Sequence, residues 1–395
     1  MKVKNARSHS NPYTNGPPVP SWAKADCSSR DGRYNHYEFN DIRDLEISDG
    51  RHGAFSGLIR VLPPLKGQTA DLVMKQIAKK TKELDIRING HPSTGQLSKE
   101  ARDFSSPWLE KRRGKCDADV ILHFRDGLTI NDLLITTQNG DIQVFSPLHV
   151  SGTTTLTSQT GRVDSGSFFN TRKTYISSGS SSLSGHFKLY DLLSITSTSG
   201  SIDVTVEPQE VDEKNPKPAE LIVESHSGRI GLGAMRSPPA RDYITSVESR
   251  DGRISGTVLH GSKTVVKSKS GMIELNLLPV GDSASNLHIG SASGRQQVTV
   301  FSPVYPSGVK GSGKLSKMQS THTSQSGALQ LKYPGEWAGK IDGSTSSGSI
   351  EVTGWGVHVI EQQQHHVSAE KDADEGGSNI VFRGQSGSAS LSFMR

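Results

Sequence analysis

One short motif constrains what this chain can fold into. From about residue 120 onward the string Ser-x-Ser-Gly-x-Ile-x-Val recurs, each copy preceded by a short alternating stretch. Copies stand at Gln138-Asn-Gly-Asp-Ile-Gln-Val144, Ser199-Gly-Ser-Ile-Asp-Val204, Ser227-Gly-Arg-Ile-Gly-Leu232, Ser270-Gly-Met-Ile-Glu-Leu275, Ser326-Gly-Ala-Leu-Gln-Leu331 and Ser347-Gly-Ser-Ile-Glu-Val352, with a shorter one at Asp251-Gly-Arg-Ile254. Motif glycines such as Gly140 and Gly161, or Gly327 and Gly348, lie 21 residues apart, a spacing typical of repeat architectures.

Register gives the motif physical content. The second residue after each glycine is Ile142, Val163, Ile202, Ile230, Ile254, Ile273, Leu329 or Ile350, and the fifth before it is Ile135, Leu156, Ile195, Val223, Val247, Val266 or Ile289. Alternation sends both columns to one core and the residues between them to water. The intervening glycine marks a sharp corner, where a positive φ is expected. The third residue before the glycine is Ser158, Ser197, Ser225, Ser249, Ser268, Ser291 or Ser324. Its parity is inward, so a ladder of hydroxyls bonding to turn backbone or to the next rung is expected.

Stacked rungs and a sandwich of antiparallel hairpins could both use such units. A ladder works only when like sits on like, which favours an all-β parallel β-solenoid, or β-helix. Hydrophobic residues make up 32% of the 395, which suits a thin core with many turns. The copies are imperfect: Gln296 and Ala389 occupy the apolar position after Gly294 and Gly387. Longer spacings read as insertions, at residues 207–218, 302–320 and 355–377.

Ahead of the repeats, residues 1–37 read as a disordered tail, since Asn11-Pro-Tyr-Thr-Asn-Gly-Pro-Pro-Val-Pro20 is rich in turn formers and poor in apolar groups. Residues 38–120 read as a small irregular N-terminal cap and 121–395 as the solenoid domain. Leu58-Ile-Arg-Val-Leu-Pro-Pro64 has the look of a strand ended by proline. Residues 70–89 are ambiguous: Val73, Ile77 and Leu84 sit at helical spacing, whereas Leu84, Ile86 and Ile88 alternate as in a strand. Cys27 and Cys116 are expected to be unpaired thiols. Neither a signal peptide nor a membrane-spanning stretch is visible, so the default location is cytoplasmic, with the cell surface as the alternative if an anchor is missing.

The motif string resembles an adhesin-like family of repetitive β-solenoid proteins found in bacteria and fungi, through the units at Gly200, Gly228, Gly271 and Gly348. The resemblance covers roughly residues 121–395. It implies a solenoid fold and an adhesive or structural role, and brings no catalytic residues with it.

The residues themselves point away from chemistry. Asp164 and Asp203 lie in one outward column, one or two rungs apart, and a carbohydrate-active enzyme on a β-helix would need such a pair. The same column holds Gln143, Ser255, Gln297 and Gln330, which fits a solvated face better. His358, His365 and His366 lack metal-site companions, and no phosphate-cradling glycine loop is present. No enzyme activity, cofactor or metal is therefore expected.

Binding is the stronger reading. Arg162, Arg229, Arg253 and Arg295 directly follow motif glycines, and Lys267 and Lys269 lie nearby. Together they form a candidate basic stripe for a periodic polyanion such as an acidic polysaccharide or other cell-surface polymer. Charged corners that only keep the stack soluble are the plainer account. Nucleic acid is not expected, because aromatic residues are only 6% of the chain and do not interleave with the basic ones. An intracellular scaffold for protein partners is a further alternative, and oligomeric state is left open.

Overall fold

The computed structural model describes residues 34–49, 57–78, 84–89, 118–166, 169–210, 217–235, 238–305, 311–372 and 377–394. Among them there is no helix. The strands form two long sheets, one of 15 and one of 16 strands, with parallel pairing through almost their whole length. The arrangement is consistent with a β-helix or solenoid. The chain crosses from the 16-stranded to the 15-stranded sheet at each motif corner and returns through connections of variable length, short after Leu183–Leu189 and Ile254–His260 and long where insertions fall.

Side chains stack like on like because the pairing is parallel and in register. In the 15-stranded sheet, Ile142, Val163, Leu183, Ile202, Ile230, Ile254 and Ile273 are successive partners. In the other, Ile135, Leu156, Ile176, Ile195, Val223, Val247, Val266 and Ile289 are. All of these side chains are buried, and together they form the spine of one continuous core. Full burial of each aliphatic side chain contributes about 1.5–3 kcal/mol, so the motif supplies its own driving force rung by rung.

The corners depart from expectation in one respect. A positive φ occurs at Gly348 and Gly387, but not at Gly161, Gly200, Gly228, Gly252, Gly271, Gly294 or Gly327. Those glycines are required by proximity instead. A Cβ at Gly228, Gly271 or Gly294 would lie 1.9 Å from the carbonyl oxygen of Gly200, Gly252 or Gly271 respectively. The corner backbones stack so closely that only a hydrogen fits between them.

The hydroxyl column completes each corner. Ser324 Oγ accepts from Gly327 N and donates to Gly327 O, both at 2.9 Å. Ser197, Ser268 and Ser291 donate to the carbonyls of Gly200, Gly271 and Gly294 at 2.9, 2.9 and 2.6 Å. These bonds run to turn backbone within the same rung, whereas Ser158 Oγ donates to Gly140 O on the neighbouring rung at 3.0 Å and Ser225 Oγ makes no bond.

Several segments differ from their sequence reading. The gap between Gly161 and Gly200 holds a full rung, with strands Phe169–Ser178 and Leu183–Leu189 and with Ser181 in the glycine's place. Residues 70–89 carry strands Leu72–Ala78 and Leu84–Asn89, not a helix. Strands Asp44–Asp49 and Gly57–Leu62 already stack in parallel on Asp132–Thr137 and Asp141–Val144. Residues 355–377 include a hairpin, Val357–Gln363 and His366–Lys371. The expected tail lies outside the described residues as far as residue 33, as do Cys27, Cys116 and the centre of the 207–218 insertion.

Strands Ser378–Ser386 and Ala389–Phe393 lie between the rung of Met318–Ser324 and Leu329–Tyr333 and the rung of Gly339–Ser347 and Ile350–Thr353, out of chain order. Near them the core turns polar: His322 follows Ile289 in the apolar column, with its Nε2 2.8 Å from Tyr333 Oη. Gln296 Nε2 donates to Thr323 O at 2.6 Å, and Tyr333, Trp337 and Phe393 pack as a ring cluster.

Candidate binding groove

The residues just before each corner glycine build a groove along the stack. Its outward column in the 16-stranded sheet is Thr157, Ser177, Thr196, Glu224, Glu248 and Lys267, each the register partner of the next. The corner column beside it includes His226, Arg250 and Lys269, and the hydroxyl column lies between the two in sequence. The groove has a volume of about 830 Å³ and crosses six strands. At ~4.8 Å per strand its length is about 24 Å.

Its chemistry is graded. The end at Thr157 is neutral, and Ser177 Oγ donates to Thr157 Oγ1 at 2.9 Å. Glu224 and Glu248 make the middle acidic. Arg250, Lys267 and Lys269 make the far end basic. Arg250 Nη1 donates to His226 Nε2 at 3.3 Å and reaches Asp251 at 3.8 Å. Neither Lys267 nor Lys269 forms a side-chain ion pair among the described residues. Glu248 and Lys267 are cross-strand neighbours in register, without an ion pair between their side chains.

The arginines occupy the other flank of the corner. Backbone bonds order this column as Arg162, Ser182, Ser201, Arg229, Arg253, Met272 and Arg295. Arg229 and Arg253 therefore stand on adjacent rungs, Arg162 is set apart by two serines, and Arg295 by Met272. Each of the three later arginines reaches a side chain on a neighbouring rung. Arg229 lies 4.0 Å from Asp203, Arg253 pairs with Glu274, and Arg295 donates to Gln330. The outward polar column thus pairs the charge of Arg253 and holds Arg229 and Arg295 more loosely, whereas the lysines in the groove have no such partner. No sequence signal distinguished the two flanks, because both are polar at corner positions.

Asp164 and Asp203 stand two strands apart with Ser184 between them. Asp164 is 8% exposed, and burial pushes its carboxyl above the usual range, partly offset by a hydrogen bond from Ser184 Oγ at 3.1 Å. Asp203 is open to solvent. Among the described residues no cluster of His, Cys, Asp and Glu is arranged to hold a metal ion, and no helix is long and apolar enough to cross a membrane.

The fold defines an all-β protein of two long, mostly parallel sheets. No protein-family model matches the sequence, and no curated protein matches it. Among solved structures, a "putative cell adhesion protein" from Clostridium sporogenes ATCC 15579 aligns over 92% of this chain and 100% of its own, at 8% identity and a TM-score of 0.15. A superposition that poor carries no argument about fold or function.

Proposed function

We propose that this chain is a non-enzymatic, adhesin-like β-solenoid, built from Ser-Gly-x-Ile-x-Val rungs behind a small N-terminal cap, that holds a polymeric partner along its corner groove. The observation that carries this reading is the groove itself: a shallow, open depression across six strands, ending in Lys267, Lys269 and Arg250. A groove that runs along successive rungs suits an extended polymer, and its basic end, beyond the acidic middle at Glu224 and Glu248, favours an acidic polysaccharide. Arg162, Arg229, Arg253 and Arg295 play a secondary part, since three of them are engaged by neighbours.

The test is co-sedimentation of the protein with insoluble acidic and neutral polysaccharides at low and high salt. Pelleting with acidic polymers that salt abolishes supports the proposal. No pelleting with any polymer overturns it and brings forward the protein-scaffold alternative.

A second reading, a carbohydrate-active enzyme, draws on the raised carboxyl of Asp164. Two strands separate Asp164 from Asp203 by ~9.6 Å in backbone terms, at the upper edge of inverting geometry. The burial of Asp164 works against it, because a general acid has to reach the glycosidic oxygen. Product release abolished by Asp164→Asn is the result that would favour this reading.

A further inference from the structure

The two sheets do not end together. Past the rung of Gly339–Ser347 and Ile350–Thr353, the 16-stranded sheet continues for two more strands, His366–Lys371 and Val357–Gln363, while the other stops at Ile350–Thr353. The overhang leaves the end of the core open. On the inner strand Val367 and Ala369 are buried, but their neighbours on the outer strand are not. Val359 pairs with Ala369 and shares its parity. Ile360 is the extra residue of a bulge next to it. Val359 is 40% exposed, Ile360 60% and Trp355, in the turn leading in, 82%. Ile350 and Val352, fully inward in parity, are only partly covered. Strand Val357–Gln363 has one neighbour, carries no Lys, Arg or Pro, and presents its free backbone edge to solvent.

We infer that this end is a two-fold interface with a second copy of the same chain. A two-fold axis along the strand direction brings the long sheet of one copy into line with the short sheet of the other. The Val357–Gln363 edge of each then abuts the Ile350–Thr353 edge of its partner, and the two overhangs pack apolar face to face. Every open edge at this end is closed, and the contact is isologous, so it stops at a dimer. At the opposite end the 15-stranded sheet overhangs instead, and Phe39, Leu72, Met74, Leu122 and Phe124 are buried there.

The experiment is sedimentation equilibrium of the full chain over a wide concentration range, beside Ile360→Lys and Val359→Lys variants whose folding is verified by circular dichroism. The expected result is a discrete wild-type dimer and loss of the dimer in both variants. A wild type that stays monomeric, growth into open-ended polymers, or a dimer that both variants retain would each overturn the inference. A second measurement addresses geometry directly. With Cys27→Ser and Cys116→Ser as background, a spin label at His358→Cys is expected to give a short intermolecular distance and one at Asp126→Cys, near the other end, none. The reverse pattern overturns the two-fold arrangement even where a dimer forms.

Discussion

A Cβ placed on Gly252 would lie 2.0 Å from the carbonyl oxygen of Gly228 one rung away, although the φ of Gly252 is not positive. The corner glycine is there for the rung beneath it, not for its own torsion. Gly252→Ala is therefore expected to destabilise the fold by about 3 kcal/mol or more, since backbone stacked on backbone has no room to yield. Gly281 is the control: its φ is +77° with open space around it, so Gly281→Ala carries only the torsional cost of about 1 kcal/mol. Urea unfolding midpoints of the two variants check the contrast.

The hydroxyl column makes a second contrast. Ser324→Ala leaves the buried Gly327 N–H without its acceptor and is expected to cost about 1–3 kcal/mol. Ser225 belongs to the same column, but its buried Oγ has no partner, so Ser225→Ala is expected to be neutral or mildly stabilising. Equal losses in thermal unfolding for both would show that the corner hydroxyls act through packing alone.

The two basic flanks should respond differently to charge reversal. Lys267→Glu combined with Lys269→Glu is expected to weaken pelleting with acidic polysaccharide at least tenfold at low salt, about 1.4 kcal/mol. Arg253→Ala is expected to change it much less, because its guanidinium already pairs with Glu274. A larger effect from Arg253 than from the lysines would move the site to the arginine flank.

Acid should loosen the core before it touches the surface. Burial lowers His260 to about 4 and His322 to about 3 from an unfolded value of 6.5, so both are neutral in the fold. The unfolded chain takes up their protons as pH drops through 6.5. Stability from this source is full above that value and falls as pH drops toward 4 and 3, by roughly 1.4 kcal/mol per pH unit for each residue. Asp342, held low chiefly by Arg383, loses its contribution only at more acidic pH; between pH 7 and 5 the denaturant midpoints report the histidines, with a contribution of the same sign from the partly buried His288 and an opposing one from the raised carboxyl of Asp164. His322→Leu is expected to remove about half of that slope, together with a constant loss from the orphaned Tyr333 hydroxyl.

Parallel stacking was legible because the same residue types return at fixed offsets, and only stacked strands reward that. The rung at Ser181 was not, because one exposed-looking serine in place of a glycine erased the corner signature. The rung of Ile47 and Ile59 does carry a copy of the motif, Ser56-Gly-Leu-Ile-Arg-Val61, but its glycine follows Ile47 by ten residues and not five, so the paired apolar columns did not mark it as part of the stack. The groove was legible only as scattered lysines: a residue's flank of the corner decides whether it lines a channel or salts a neighbour, and that depends on how the turn points it. The hairpin at Val357–Lys371 read as an inserted loop because Gln362-Gln-Gln-His-His366 has no apolar alternation at its tip.

The out-of-order rung changes how this molecule can come apart. In the middle of the stack each rung leans only on the one before and the one after it, so damage can spread stepwise from a free end. Strands Ser378–Ser386 and Ala389–Phe393 are gripped on both sides by segments made earlier in the chain. Peeling cannot begin there with the last-made piece, because the rung outside it has to leave first. Assembly meets the same constraint in reverse: the rung of Gly339–Ser347 has no seat until a later stretch of chain has slid in beneath it. This end behaves as a clasp, fastened last and released as a unit.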